Sequence, residues 1–181
     1  MGPTVKLTQN LILRVEDESK AARVLDLYRR NHDCFDAYEP TRPDDFYTEE
    51  YHARALRREY KVYMLGKFLR YYIYSRFDDT HIIGAVNFNM FFDGAENYAE
   101  IGYKIDKSFQ NMGYAYEACS AGISILSRDY HIYRVDARIH PDNIASLCLA
   151  KKLGFRYLAF EPQSVNIMGR YMDLIRYTLI E

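Results

Sequence analysis

The order of hydrophobic patterns along the chain predicts one α/β domain with a mixed sheet. Stretches of apolar–polar alternation, clearest in "YRVDARIH" at 133–140 and in residues 98–106, interleave with stretches whose apolar residues recur at i, i+3, i+4 and i+7. The chain has 181 residues, 49% of them hydrophobic and 27% charged, which suits one folded domain with its own core, here residues 1–181.

"NLILRVED" reads as a short opening strand. Asp17 or Ser19 then caps a helix in which Ala21, Val24, Leu25 and Tyr28 share a face. "YEPTRPDD" ends the helical pattern, because Pro40 and Pro43 cannot sit inside a helix. A charged, Tyr-rich helix follows over "DFYTEEYHARALRREYKVYML", then two strands, "RYYIYSRF" and "HIIGAVNFNMFF", joined as a hairpin at "DDT". A turn at "DGAEN" leads into a third strand at 98–106. The helix after Gly113 places Ala115, Ala118, Cys119, Gly122 and Leu126 on one face. In the next strand Tyr133, Val135, Ala137 and Ile139 point one way, and Arg134, Asp136, Arg138 and His140 the other. "PDNIASLCLAKKLGF" is a helix with Pro141 and Asp142 at its start, Lys151 and Lys152 in its last turn and Gly154 as its stop. "RYMDLIRYTLI" closes the chain as a strand.

Bulk properties exclude several function classes. With a net charge of −1 and no Lys/Arg run, direct nucleic-acid binding is disfavoured. No apolar run approaches the roughly 18 residues of a membrane span. The start, "MGPTVKLTQN", lacks the apolar core of a signal peptide, and Lys6 spoils the myristoylation pattern despite Gly2, so a cytoplasmic location is expected. Cys34, Cys119 and Cys148 are odd in number and far apart; they read as reduced thiols, with neither a zinc site nor a disulfide framework. Tyr is frequent at 18 residues and Trp is absent, and neither fact points to a function.

Known phosphate cradles can be tested directly. There is no G-x-x-x-x-G-K-S/T, since "GKF" at 66–68 fails at its last position, and no G-x-G-x-x-G. What remains is Q-x-x-G-x-A, Gln110 to Ala115, opening a helix directly after a strand. A plain turn is one reading of it. The other is an anion site, because a helix N-terminus presents unpaired N–H groups and small residues at 113 and 115 let a pyrophosphate reach them. Further on, Asn143 reads equally as a helix cap or a ligand contact. Ser146 puts a hydroxyl on a stripe otherwise made of Leu149, Ala150 and Leu153.

These segments together resemble the GNAT acyl-CoA-dependent N-acetyltransferases, and within them the RimJ/RimL group, the ribosomal-protein alanine N-acetyltransferases. "AEIGYKIDKSFQNMGYAYEA" is similar to the family's acetyl-CoA strand, loop and helix, and "RVDARIHPDNIASLCLAKKLGF" to its second half-motif. "NHDCFDAYEP", "IIGAVNFNMFF" and "NIMGRYMDLIRYTLI" look RimJ-like, so the likeness covers nearly the whole chain. It is specific for fold and cofactor and much less so for the acceptor. Two positions depart from the pattern. Asn111 stands where a Gly is common, implying a stiffer loop that cradles phosphate less closely. Ala150 stands where many members carry a general-acid Tyr.

The resemblance implies a mixed, mostly antiparallel sheet with splayed central strands flanked by helices, and acetyl-CoA (CoA) as cofactor. Strands 98–106 and 133–140 would part to admit pantetheine against the backbone near Tyr103 and Ile105. The loop of Gln110, Asn111, Met112, Gly113, Tyr114 and Ala115 would take the pyrophosphate, and Asn143 would bond to pantetheine. Acyl transfer to an amine needs a base, and an α-amine of pKa about 8 is already about one-tenth neutral at pH 7, so a modest base suffices. Glu100 is the candidate, directly or through a water, unless it is a solvated or salt-bridged strand residue. His140 is the reserve, unless it is merely a helix-start residue fixed by Pro141. With Ala150 unable to donate, Ser146 is the best group to hydrogen-bond the leaving thiolate, as the RimJ/RimL group tends to have Ser here. Cys119 and Cys148 read as helix packing rather than as acetyl carriers. Glu39, with Asp44, Asp45, Glu49 and Glu50, either flanks a cationic acceptor or is solvated surface, and Asn87 joins Glu39 and Glu100 as an acceptor contact.

Direct transfer within a ternary complex to a protein N-terminal α-amine, as on a ribosomal protein, is the leading expectation, with monomer and homodimer both open. A small-amine acetyltransferase for polyamines or aminoglycosides is the alternative, though near-neutral composition gives a polyamine pocket little support. A non-catalytic acyl-CoA sensor is the alternative of another class.

Overall fold

The computed structural model describes residues 2–39, 41–94, 96–167 and 169–181. Among them, eight strands form one sheet in the order β1-β2-β3-β4-β5-β6-β8-β7. The strands are β1 (Val5–Leu7), β2 (Leu11–Arg14), β3 (Phe68–Ser75), β4 (Gly84–Asp93), β5 (Glu96–Ile105), β6 (Arg134–Ile139), β7 (Arg156–Ile167) and β8 (Arg170–Ile180). The helices are α1 (Ala21–Arg30), α2 (His32–Phe35), α3 (Glu49–Met64), α4 (Tyr114–Ile125), which runs on through a π-turn at Leu126–Tyr130, and α5 (Ile144–Lys152). The β1–β2 hairpin start was not expected from the sequence. Pro40 in the "YEPTRPDD" break, Ala95 in the "DGAEN" turn, Met1 and Met168 lie outside the described residues.

Alternation along the strands builds two cores, one on each face. Leu69, Tyr71 and Ile73 of β3 and Val86, Phe88 and Met90 of β4 join Ala118, Cys119, Ile123 and Ala150 on the α4–α5 face. Tyr72, Tyr74 and Ala85 face the other way, onto Val24, Leu27, Tyr28 and Leu56 of α1 and α3. The alternation read in 133–140 is only half the story. Tyr133 precedes the strand and is exposed, while Asp136 is fully buried on the supposedly open face. It is held there by Arg134 (3.0 Å), Arg176 (3.4 Å) and Thr178 (2.8 Å).

The abundance of tyrosine has a structural use. Tyr63 and Tyr71 donate to the carbonyls of Gly2 (2.7 Å) and Pro3 (2.6 Å), fastening the start of the described chain to the sheet.

One ladder positions the site. β5 and β6 are the parallel pair, and their register ends after Tyr98↔Arg134, Ala99↔Val135 and Glu100↔Asp136. Beyond Glu100 the strands part, each remaining paired on its far side, β5 to β4 and β6 to β8. The result is the expected splay: a slot through the middle of the sheet.

Candidate active site

A cleft of about 1060 Å³ occupies the slot and opens onto both faces. Tyr103, Ala115, Ser146 and Leu149 line it on the α4–α5 face; Phe35, Glu39, Glu100, Lys104 and Arg138 line it on the other.

The α4–α5 side presents a helix start to the cleft. Gly113 has φ 81°, α4 begins without a side-chain cap, and its first intrahelical bond is Glu117 N to Gly113 O at 3.0 Å. The first-turn amides therefore face the cleft beside Gly113, where an added Cβ would meet nothing within 4 Å. Asn111 has φ 60°, the left-handed conformation that a Gly would adopt at no cost and that Asn tolerates better than other residues. Asn111 thus fits the backbone conformation of the loop.

A buried network aims this loop. Asp106 accepts from Asn31 Nδ2 (3.0 Å) and Ser108 N (2.9 Å) and pairs with Arg30, while Asn31 Oδ1 accepts from Lys107 N at 2.8 Å. Burial raises the Asp106 pKa, but these partners outweigh it and hold the carboxyl below its ordinary range. Asn31, Arg30 and Asp106 escaped the sequence reading because their union spans 75 residues of chain.

Other expected loop residues have local tasks. Gln110 donates to the Ile105 carbonyl at 3.3 Å and approaches Cys34 Sγ at 3.7 Å, so its side chain turns back onto β5. Cys34, read from the sequence only as a reduced thiol, is a cleft-wall residue. Tyr114 and Ala115 line the cleft, whereas Met112 is exposed and stands outside its wall. Asn143 caps α5, its Oδ1 accepting from Ser146 N at 3.1 Å, and it remains part of the wall together with Ser146.

On the opposite face, Glu100 is half-buried, and desolvation raises its pKa, against the lowering pull of Arg138 and Arg176. Asn87 lies against Gly102 in the same wall. Glu39 pairs with Lys104 and, at 3.2 Å, with Arg42. Burial alone would raise its pKa; the two cations reverse this and leave the carboxyl below its ordinary range. Glu39 is therefore a compensated anion rather than a free one, and Asp44, Asp45, Glu49 and Glu50 are absent from the wall.

His140 Nδ1 accepts from Asp142 N at 3.1 Å. His140 also lines the cleft. Cys119 is fully buried and desolvation pushes its thiol up, which suits packing and not nucleophilic attack. Cys148 is exposed, contrary to the expectation that it packs.

The slot thus brings an uncapped helix start on one face of the sheet and a carboxylate on the other into one cleft. The acetyltransferase (GNAT) domain family matches residues 10–156, and the chain belongs to that family, where it is closely related to the RimJ/RimL group. It is 28% identical over 177 residues to the [ribosomal protein uS5]-alanine N-acetyltransferase of Escherichia coli (strain K12), covering 94% of this chain and 88% of that one. The ribosomal-protein-S5-alanine acetyltransferase of Vibrio fischeri superposes with a TM-score of 0.91 at 20% identity, covering 98% and 97% of the two chains. Mycobacterium smegmatis RimJ, solved in complex with CoA-disulfide, superposes with a TM-score of 0.90 at 19% identity, covering 99% and 88%.

Proposed function

We propose that residues 1–181 form one acetyl-CoA-dependent N-acetyltransferase domain that modifies a protein N-terminal α-amine, the ribosomal-protein alanine type being the leading case. The observation that carries this is the slot itself, which brings an anion-binding helix start and Glu100 to opposite mouths of one cleft. The names of the related enzymes support the acceptor class.

When bound, acetyl-CoA supplies an acetyl thioester as the electrophile. The first-turn amides at Gly113–Tyr116 suit its pyrophosphate, and the slot-facing backbone at Tyr103 with the Asn143 side chain suits the pantetheine arm. Glu100, its carboxyl held above its ordinary range by burial, takes the proton the amine must lose. Ser146 presents a hydroxyl on the cofactor side of the slot. Arg138 stands beside Glu100 with only its Nε engaged, at 2.7 Å from Glu161, among the described residues. Its remaining donors suit the carbonyl that follows an α-amine in a peptide. The pairing of Glu39 with Lys104 and Arg42 leaves no strongly acidic pocket for a polyamine.

The test is acetyl-CoA turnover across a panel of N-terminal peptides and small amines. Turnover on peptides with an N-terminal alanine is expected. Turnover confined to small amines, or CoA binding with no turnover on any acceptor, would overturn the proposal.

A further inference from the structure

Between α1 and α2 the chain turns at Asn31, a polar residue that is fully buried. Its side chain is engaged at both ends of the amide. Nδ2 donates to the Leu27 carbonyl (2.9 Å) and to Asp106 Oδ2 (3.0 Å), and Oδ1 accepts from Lys107 N (2.8 Å). The Asn31 carbonyl in turn accepts from Cys34 N (3.1 Å) and Phe35 N (2.9 Å), which starts α2. One buried residue thus holds α2 to the segment that leads from β5 to Gly113. Three lesser ties run beside it: Lys107 Nζ with Asp33 (3.1 Å), Gln110 Nε2 with Cys34 Sγ (3.7 Å), and Lys104 with Glu39. Both sides of this clamp reach the cleft. Cys34, Phe35 and Glu39 line it from one side, Gln110 and Gly113 from the other.

We infer that Asn31 is a positioning residue that couples the two halves of the site, making the acceptor wall at 32–39 move as one body with the loop at 106–113. This rests on the function proposed above. A buried amide pulled from its partners loses bonds that no water replaces, so a shift of Lys107 draws the first turn of α2 with it. Asp106 stiffens the joint, since it also accepts from Ser108 N (2.9 Å) and pairs with Arg30, the last residue of α1. The Lys107–Asp33 pair holds far less, because both of its side chains are exposed to water. A cofactor that settles on the loop therefore also sets the wall against which the acceptor lies, and each ligand favours the binding of the other.

The experiment compares wild type, Asn31→Ala and Lys107→Ala. Amide hydrogen exchange with and without CoA follows residues 32–39, and calorimetry measures the CoA Kd with and without a saturating peptide that begins with alanine. In the wild type, CoA should slow exchange at 32–39, and the peptide should tighten CoA by about fivefold or more. Asn31→Ala should abolish both effects, whereas Lys107→Ala, which cuts only the exposed pair, should keep both. A merely structural Asn31 would lower the melting temperature and leave the ratio of the two CoA Kd values as it was. Wild-type CoA binding that leaves 32–39 unprotected would overturn the inference. So would protection that survives Asn31→Ala, which direct contact with CoA explains, or coupling lost in Lys107→Ala. Asn31→Ser takes the place of the alanine variant if that one does not fold. If the wild type neither binds nor acetylates a peptide, the functional reading fails instead. The exchange measurement needs only CoA, and it still decides whether Asn31 joins loop and wall.

Discussion

Gly113→Ala places a methyl group at the start of α4, where the backbone has φ 81° and an added Cβ meets no protein atom within 4 Å. The folding cost is then conformational alone, about 1–2 kcal/mol for an L-residue in the left-handed region. For a chain of this size that lowers the melting temperature by about 2–8 °C. The binding cost is separate, because the open space beside Gly113 belongs to the cleft. Displacing a phosphate from one charge-assisted amide bond costs about 1.5–3 kcal/mol, or roughly 10- to 150-fold in Kd. Calorimetric titration with CoA and with pantetheine, below the variant's melting temperature, separates the two costs. CoA should lose affinity and pantetheine, which has no pyrophosphate, should not. A variant that melts lower yet binds CoA as tightly as wild type would reduce Gly113 to a turn residue and refute the phosphate assignment.

Saturating CoA should stabilise the protein by about 2.7 kcal/mol at 100 times its Kd, and a melting temperature unmoved by CoA would remove the cofactor assignment. Glu100→Gln should lower turnover by about 10²–10⁴-fold with CoA affinity intact, and the loss should shrink at high pH, where more of the amine is neutral. A pH-independent loss would make Glu100 structural. The same variant has a stability signature. Glu100 titrates above its ordinary 4.5 in the fold, so between 4.5 and that raised value the native state holds a proton the unfolded chain has released. Wild-type stability therefore falls as pH rises through this window, and Glu100→Gln should melt higher than wild type at pH 7 but not below pH 4.5. Gly122→Ala, whose Cβ would lie 2.5 Å from the buried Phe88 ring, should cost about 1–3 kcal/mol in chemical denaturation without altering KM.

Local order was legible in the residues themselves. The periodicity of Ala21, Val24, Leu25 and Tyr28 predicts α1, and the alternation in 98–106 predicts β5, because each depends on neighbours along the chain. The loop from Gln110 to Ala115 was legible for the same reason, lying in a contiguous strand, turn and helix. What stayed hidden depends on distant partners. Glu39 reads as a free anion until Lys104 folds against it, and Asp136 reads as solvent-facing until Arg176 and Thr178 arrive from β8. The burial of the Tyr103 hydroxyl without a hydrogen-bond partner among the described residues is invisible to any pattern, since it is defined by what surrounds one atom in the fold.

The interrupted ladder has a mechanical side as well. Three registered pairs join β5 to β6, against ten joining β4 to β5, so the sheet consists of two stiff plates, β1–β5 and β6–β8, meeting along a short seam. Anything lodged in the open part of that seam touches both plates and acts as a splint between them. Filling the slot should therefore slow amide hydrogen exchange on the facing edges of β5 and β6 far more than within either plate. On the function proposed above, the gap in the ladder would be stiffened by the reactants it admits.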